Sequence, residues 1–343
     1  MPERMETTGN GLDWENGTTA MNLTANVTCL IEHSIDHWLF STTYTLVFFL
    51  GLPTNCISLY AAYKQVQRGN ELGIYLFNLS LADLLYILTL PFWIDFTLHQ
   101  DDWRAGAAMC QLCSFLTYTN LYVSGAFLCC ISFDRYLGVV HPLRATGVRT
   151  MRAAVVISCA VWAGQSAFSL VLLIRPETAD DSEHHRLCYD IYPIEPWKAT
   201  LNYFRVALGF LLPLALLLAF HCRIYRSLRD NMATRDHEKR KAKQLMLSIV
   251  VGFTVCFAPY HATLLARSVM EPGDCSFARA VFIPYRLSVA LVCFNCIMDP
   301  VLYCFVSETS RRDILFFALR GQDKGSGRVR RLALQDTSPI MLL

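Results

Sequence analysis

The chain has 343 residues, a formal net charge of +2, 54% apolar residues and only 17% charged ones, and its mean hydropathy is positive. A soluble domain of this length carries about a quarter charged residues, so the composition argues against a soluble globular protein and for one that lives in a bilayer. The charge deficit is concentrated in seven apolar runs rather than spread along the chain.

Residues 1–38 come first, a polar tail without the apolar h-region of a signal peptide, so the first run is expected to act as its own signal anchor. Within the tail, the sequons Asn16-Gly-Thr, Asn22-Leu-Thr and Asn26-Val-Thr mark glycosylation of a segment outside the cell. The apolar runs follow at Leu39–Tyr63, Leu72–Ile94, Ala105–Phe133, Ala153–Ile174, Ala199–Phe220, Gln244–Ala266 and Ala280–Val306. Each reaches the roughly 20 residues needed to cross about 30 Å of hydrocarbon. Backbone groups in lipid must be satisfied within their own segment, so each run is read as a helix. A fourth sequon, Asn78-Leu-Ser, lies inside the second run and is expected to stay unmodified. Pro213, Pro259 and Pro300 interrupt the last three runs and are expected to kink them.

Basic residues set the orientation. Lys64 and Arg68, then Arg144, Arg149 and Arg152, then the group from Arg223 to Lys243, and finally Arg311 and Arg312 all fall on one side. The positive-inside bias puts that side in the cytoplasm, with the N-terminus outside the plasma membrane. Of the 14 cysteines, Cys29, Cys110, Cys188 and Cys275 are outer ones and allow three pairings. No metal-ligand spacing, nucleotide loop, nucleophile elbow or repeat occurs, so neither an enzyme, a structural metal nor a nucleic-acid partner is expected. Charge inside a membrane is costly and marks function. The isolated acids are Asp83 in the second run and Asp299 in the seventh, and Asp134-Arg135-Tyr136 closes the third.

Several motifs in register carry a resemblance: Leu52-Pro53-Thr54-Asn55, Asn78-Leu-Ser-Leu-Ala-Asp83, Asp134-Arg135-Tyr136, Trp162, Pro213, Cys256-Phe257-Ala258-Pro259 and Asp299-Pro300-Val-Leu-Tyr303. Over roughly residues 29–320 the chain resembles the rhodopsin-like (class A) G-protein-coupled receptors. Glu71-Leu-Gly-Ile-Tyr-Leu, Thr89-Leu-Pro-Phe-Trp-Ile and Cys188-Tyr-Asp-Ile-Tyr-Pro193 are similar to the proton-sensing group of that family, most nearly its psychosine-receptor branch, which Arg286 favours. The resemblance implies an all-α membrane protein: a seven-transmembrane helix bundle over 39–306, a short amphipathic eighth helix over 307–320, and a cytoplasmic tail over 321–343. It implies disulfides Cys110–Cys188 and Cys29–Cys275. Asp134, Arg135, Tyr136 and Tyr303 are then the residues that serve a heterotrimeric G protein, a stimulatory one that raises cAMP, with arrestin and receptor kinases as further partners beside membrane lipid.

The same resemblance places extracellular protons as the ligand. His33, His37, His99 and His185 lie in outer segments and His261 in the outer half of the sixth run. An imidazole titrates in the range of mild acidosis. Counting turns from the family motifs gathers Asp83, Asn120, Ser124, Asn295 and Asp299 in one polar pocket. A sodium ion is the one ion expected there, and no other cofactor is. Two acids in one small pocket cannot both ionise cheaply, so a shared proton is expected.

Three positions depart from the family: Gln165 where relatives carry Glu, His221 where most carry an activating Tyr, and Lys239 where many place an acid that pairs with Arg135. An opsin-like pigment is excluded because no Lys lies between Lys243 and Lys324. The rival reading is a receptor for a lysolipid, psychosine-like or other small ligand. There Arg205, Arg267, Arg286 and His261 hold an anionic head group, and Tyr118, Phe204 and Tyr285 form the walls.

Overall fold

The computed structural model describes residues 29, 34–142, 145–174, 178–180, 186–189, 192–230 and 236–306. Among them, seven helices are long and apolar enough to cross a membrane. They are α1 (Ser34–Gln67), α2 (Leu72–Leu98), α3 (Ala107–Val140), α4 (Met151–Ser169), α5 (Pro196–Arg229), α6 (Asp236–Met270) and α7 (Cys275–Val301). Helices α1, α3, α5 and α6 run beyond the apolar runs by one to two turns, because the polar residues flanking each run still extend the backbone ladder. The expected eighth helix, the tail beyond it and the three sequons of the N-terminal tail lie outside the described residues.

Proline shapes the bundle at more places than expected. Helix α2 is interrupted at Leu88 and Thr89, where Pro91 removes a donor. In α5 the break takes the form of a π-helical stretch, Arg205–Leu211, just ahead of Pro213. Pro259 and Pro300 lie inside helices, as do Pro53 and Pro284. One element was absent from the sequence reading: a short antiparallel pair, β1 (Thr178–Asp180) and β2 (Arg186–Cys188), between α4 and α5. Three-residue strands carry too little pattern to be read from sequence.

The helices are held by small residues and by polar side chains that bond across them, as expected where lipid offers no hydrophobic drive between helices. At Gly73 a Cβ would lie 2.8 Å from the Gln65 side chain, so glycine is what lets α1 and α2 close together. At Gly209 it would strike the Tyr122 ring, so α3 and α5 meet through the same device. Asn55 donates to the Cys296 carbonyl at 2.7 Å, joining α1 to α7. Trp162 donates its indole N–H to the Asn78 side chain at 2.9 Å, joining α4 to α2. That bond explains why a sequon sits here: the Asn78 amide is a structural acceptor. Phe127, Phe253 and Phe257 fill the centre, each no more than 1% exposed.

Candidate functional site

The acids Asp83 and Asp299, on α2 and α7, are buried in the middle of the bundle, at 0% and 2% exposure. Asn120 donates to the Asp83 carboxylate at 3.0 Å, and Ser124 to the same oxygen at 3.5 Å. Asn295 donates to Asp299 at 2.8 Å, one helical turn away. These bonds come from neutral groups, and neither acid has a basic partner among the described residues. Two buried carboxylates without a cation repel each other strongly, because an uncompensated buried charge is costly. The pocket therefore suits a proton or a small cation such as sodium. Its oxygen atoms fit a hard monovalent ion, and the Cys296 thiol stands beside them, 3.9 Å from the Asn120 amide oxygen.

Above this pocket, toward the end that carries the disulfides, lies a cavity of about 120 Å³. Tyr118, Tyr189, Tyr260, Tyr285 and Arg286 line it, and it reaches down to Asn120. Asn120 thus touches both the cavity and Asp83, so the two sites are continuous through one side chain.

Both expected disulfides are present: Cys110–Cys188 ties the top of α3 to β2, and Cys29–Cys275 ties the tail to the start of α7. The Cys29 N–H also donates to the Tyr192 carbonyl at 3.0 Å. Close by, Arg267 and Glu271 form a buried ion pair at 5% and 0% exposure. The Arg267 guanidinium lies between two rings, 4.4 Å from the Tyr192 centroid and 4.2 Å from Tyr285. Glu271 also accepts from the Ile194 backbone N–H at 2.9 Å. Helix α6, α7, the segment before α5 and the N-terminal tail are therefore clamped together here.

At the opposite, basic end, Asp134 is 4% exposed and engaged by two arginines. Arg149 holds it with two hydrogen bonds, at 3.0 and 3.3 Å, and reaches Glu71 at 2.7 Å. Arg135 is farther, at 3.8 Å. Burial opposes the Arg149 charge, but the bonds to Asp134 and the charge of Glu71 outweigh it and raise its pKa. Tyr136 shares a 3.0 Å hydrogen bond with His141 and stacks on Phe220.

Residues 54–303 match the family described as 7 transmembrane receptor (rhodopsin family). The chain belongs to this family. It is a receptor and not an enzyme. Among its relatives, G-protein coupled receptor 68 of Homo sapiens is 47% identical over 296 residues, covering 85% of this chain and 81% of that protein. G-protein coupled receptor 65 of Homo sapiens is 42% identical over 300 residues, covering 84% and 89%. Lysophosphatidic acid receptor 6 of Gallus gallus is 33% identical over 294 residues, covering 82% and 94%. Rhodopsin-family membership implies a multi-pass protein of the plasma membrane and a heterotrimeric G protein as partner.

In this rhodopsin-family bundle the five expected pocket residues do come together, whereas the expected ligand arginines separate. Arg286 lines the cavity, but Arg205 and Arg267 do not. Arg267 is already paired with Glu271. Arg205 is 2% exposed, bonds Tyr189 and Asn202, and lies 3.9 Å from the Tyr118 ring centroid. Phe204 is 53% exposed and faces outward, so it is not a cavity wall; the π-helical stretch that follows it sets a helical phase that a plain count misses. Among the histidines, His37 shares a 2.6 Å contact with the Thr97 carbonyl, and His99 pairs with Asp95 at 3.1 Å. His261 is 1% exposed, holds the Phe257 carbonyl at 2.9 Å and stacks on Phe210. It is packed among aromatic rings rather than lining the cavity. His33 and His185 lie outside the described residues, as does the Tyr303 side chain. Sequence reasoning missed Arg149 and Glu271. Both follow or flank apolar runs as ordinary boundary charges, and neither carries a signal apart from the packing that buries its partner.

Proposed function

We propose that the chain is a cell-surface receptor activated by extracellular protons that stimulates adenylate cyclase through a stimulatory G protein. In this reading the disulfide end faces the outside and the basic end the cytoplasm, in keeping with the positive-inside bias and with the oxidising compartment that disulfides need. The observation that carries it is the pair Asp83 and Asp299, buried together and bonded only by neutral donors among the described residues. Without a proton there, Asp83, Asn120, Ser124, Asn295 and Asp299 would hold a sodium ion that balances the charge; a proton taken up removes the repulsion between the two acids. The packing of α2, α3 and α7 around the pocket then relaxes. The outer histidines His33, His37, His99 and His185 add a second, more accessible set of titrating groups. Several groups of this kind give a steeper response than one imidazole. Arg135, freed from Asp134, meets the G protein, with arrestin and receptor kinases acting on the same face.

The test is cAMP accumulation between pH 8 and pH 6 in cells given no other ligand. Wild type should rise on acidification. Asp299→Asn should raise activity at pH 8, because it removes one of the two charges permanently. Replacing His33, His37 and His185 with Phe should move the midpoint toward acid with the maximal signal retained. A flat wild-type titration would sink the proton reading and favour the second one, a lysolipid or psychosine-like ligand in the cavity beside Arg286. That reading is supported by the aromatic, part-cationic lining of the cavity.

A further inference from the structure

Arg205 is a buried charge that the sites above leave without a counter-charge. One of its terminal nitrogens donates to the Tyr189 hydroxyl at 3.0 Å and to the Asn202 side-chain oxygen at 3.1 Å. The guanidinium lies 3.9 Å from the Tyr118 ring centroid. Arg205 makes no ion pair among the described residues, and its Nε–H is buried there without an acceptor. A guanidinium carries five N–H donors and a full charge. Neutral hydroxyl, amide and ring partners leave that charge uncompensated, which is costly in the interior unless an anion meets it.

Tyr118 and Tyr189 are also walls of the cavity, so Arg205 stands one side chain behind its lining. Arg286 lines the cavity directly. Lys198 lies 4.7 Å over the Tyr189 ring, with its charge shared by Glu195 at 3.6 Å. None of the described residues that line the cavity is a carboxylate. Asp83 lies beyond Asn120, at the inner end. The lining is also rich in donors. Four of its tyrosines carry hydroxyls near this wall, and the Trp93 indole N–H is buried without an acceptor among the described residues. The Tyr189 oxygen accepts from Arg205, so its own hydrogen remains to donate, and the charged bond polarises it. Size narrows the occupant. At about 120 Å³ the cavity is well below the roughly 300–1,000 Å³ of pockets for organic ligands. It is several times the roughly 30 Å³ that a water molecule takes up, and a halide ion is only slightly larger than water. An organic ligand enters only if the walls move; a small ion needs no such movement.

We propose that the outer part of this cavity binds a small monovalent anion, chloride outside the cell, as the counter-charge to Arg205 and Arg286. The Tyr189 hydroxyl donates to the anion and relays the Arg205 charge to it. The bound ion links the wall formed by α3 and α5 to α7 across the cavity. The site is independent of whether a proton or a lipid activates the receptor, and its failure would leave both readings standing.

Thermal midpoints of purified full-length receptor in detergent test it, measured in sodium chloride and in sodium gluconate at equal ionic strength. Sodium is thereby held constant, and gluconate is too large for the cavity. Wild type should melt about 2 °C or more higher in chloride, with the difference saturating as chloride replaces gluconate. Arg205→Gln should abolish the difference. Tyr189→Phe, which keeps the ring and removes only the hydroxyl, and Arg286→Gln should each lose most of it, so the test stands even if Arg205→Gln fails to fold. Lys64→Gln/Arg68→Gln, at the basic end, should keep the full difference. Equal midpoints of wild type in the two salts would overturn the site. So would a difference that Tyr189→Phe and Arg286→Gln both retain in full, since chloride would then act elsewhere. A larger rise in sodium acetate than in chloride would overturn chloride and assign the two arginines to the carboxylate of an organic ligand.

Discussion

Glu271 offers the sharpest test of how the disulfide end is held. The substitution Glu271→Gln keeps the size of the side chain and a carbonyl oxygen for the Ile194 N–H, now 2.9 Å away. It removes the carboxylate paired with Arg267, which is 5% exposed. Breaking a buried ion pair by deleting one partner costs about 3–5 kcal/mol, because the surviving charge is left without compensation. The rings of Tyr192 and Tyr285 remain on either side of the guanidinium, at 4.4 and 4.2 Å. Both contacts are made in wild type and variant alike, so they cancel in the difference and the loss stays at about 3–5 kcal/mol. For a chain of this size that corresponds to a drop of about 5 °C or more in thermal midpoint, measured on purified receptor in detergent. The double variant Arg267→Met/Glu271→Gln removes the stranded charge as well as its partner and should melt above the single variant. A Glu271→Gln midpoint within about 1 °C of wild type would refute this account of the clamp. So would a double variant less stable than the single one.

Two further outcomes follow from the geometry. Arg149→Gln strips Asp134 of its two close hydrogen bonds and leaves Arg135 as its partner, so Arg135 is held more firmly away from a G protein. Worth about 1–2 kcal/mol, this change should cut cAMP output about fivefold or more at equal surface expression, and a rise in basal output would contradict it. Cys29→Ser and Cys275→Ser should damage surface expression and acid response alike, because they open the same bridge; peptide mapping that joins Cys29 to Cys188 would count against the pairing.

Much of the candidate site was legible because family motifs carry fixed positions on helices. Once Asp83, Asn120, Ser124, Asn295 and Asp299 are placed by turn counting on α2, α3 and α7, regular helical geometry brings them to one level. That inference needs no loop and no irregular backbone. It failed where the backbone departs from the regular spiral. The π-helical stretch at Arg205–Leu211 breaks the phase along α5, so Phe204 faces outward and Arg205 packs against tyrosines instead of lining the cavity. His261, expected among the titrating groups of the outer half of the sixth run, is enclosed by aromatic rings, because which side of α6 faces the cavity depends on how far the helix is rotated at Pro259.

The sequence by itself determined the class of molecule: seven helices, the positions of the intramembrane acids, and the four cysteines from which two bridges are made. Those follow from composition and from the demand that a backbone in lipid satisfy its own hydrogen bonds, which leaves an apolar run of 20 residues one structure to adopt. Only the tertiary structure decided which charges are partnered. Arg149 with Asp134 and Glu71, and Arg267 with Glu271, look in sequence like solvated residues at the ends of apolar runs. Their pairing depends on where neighbouring helices and the segment after β2 close over them. Burial, which turns an ordinary charge into one that must be compensated, is a property of the packed bundle and has no local signature.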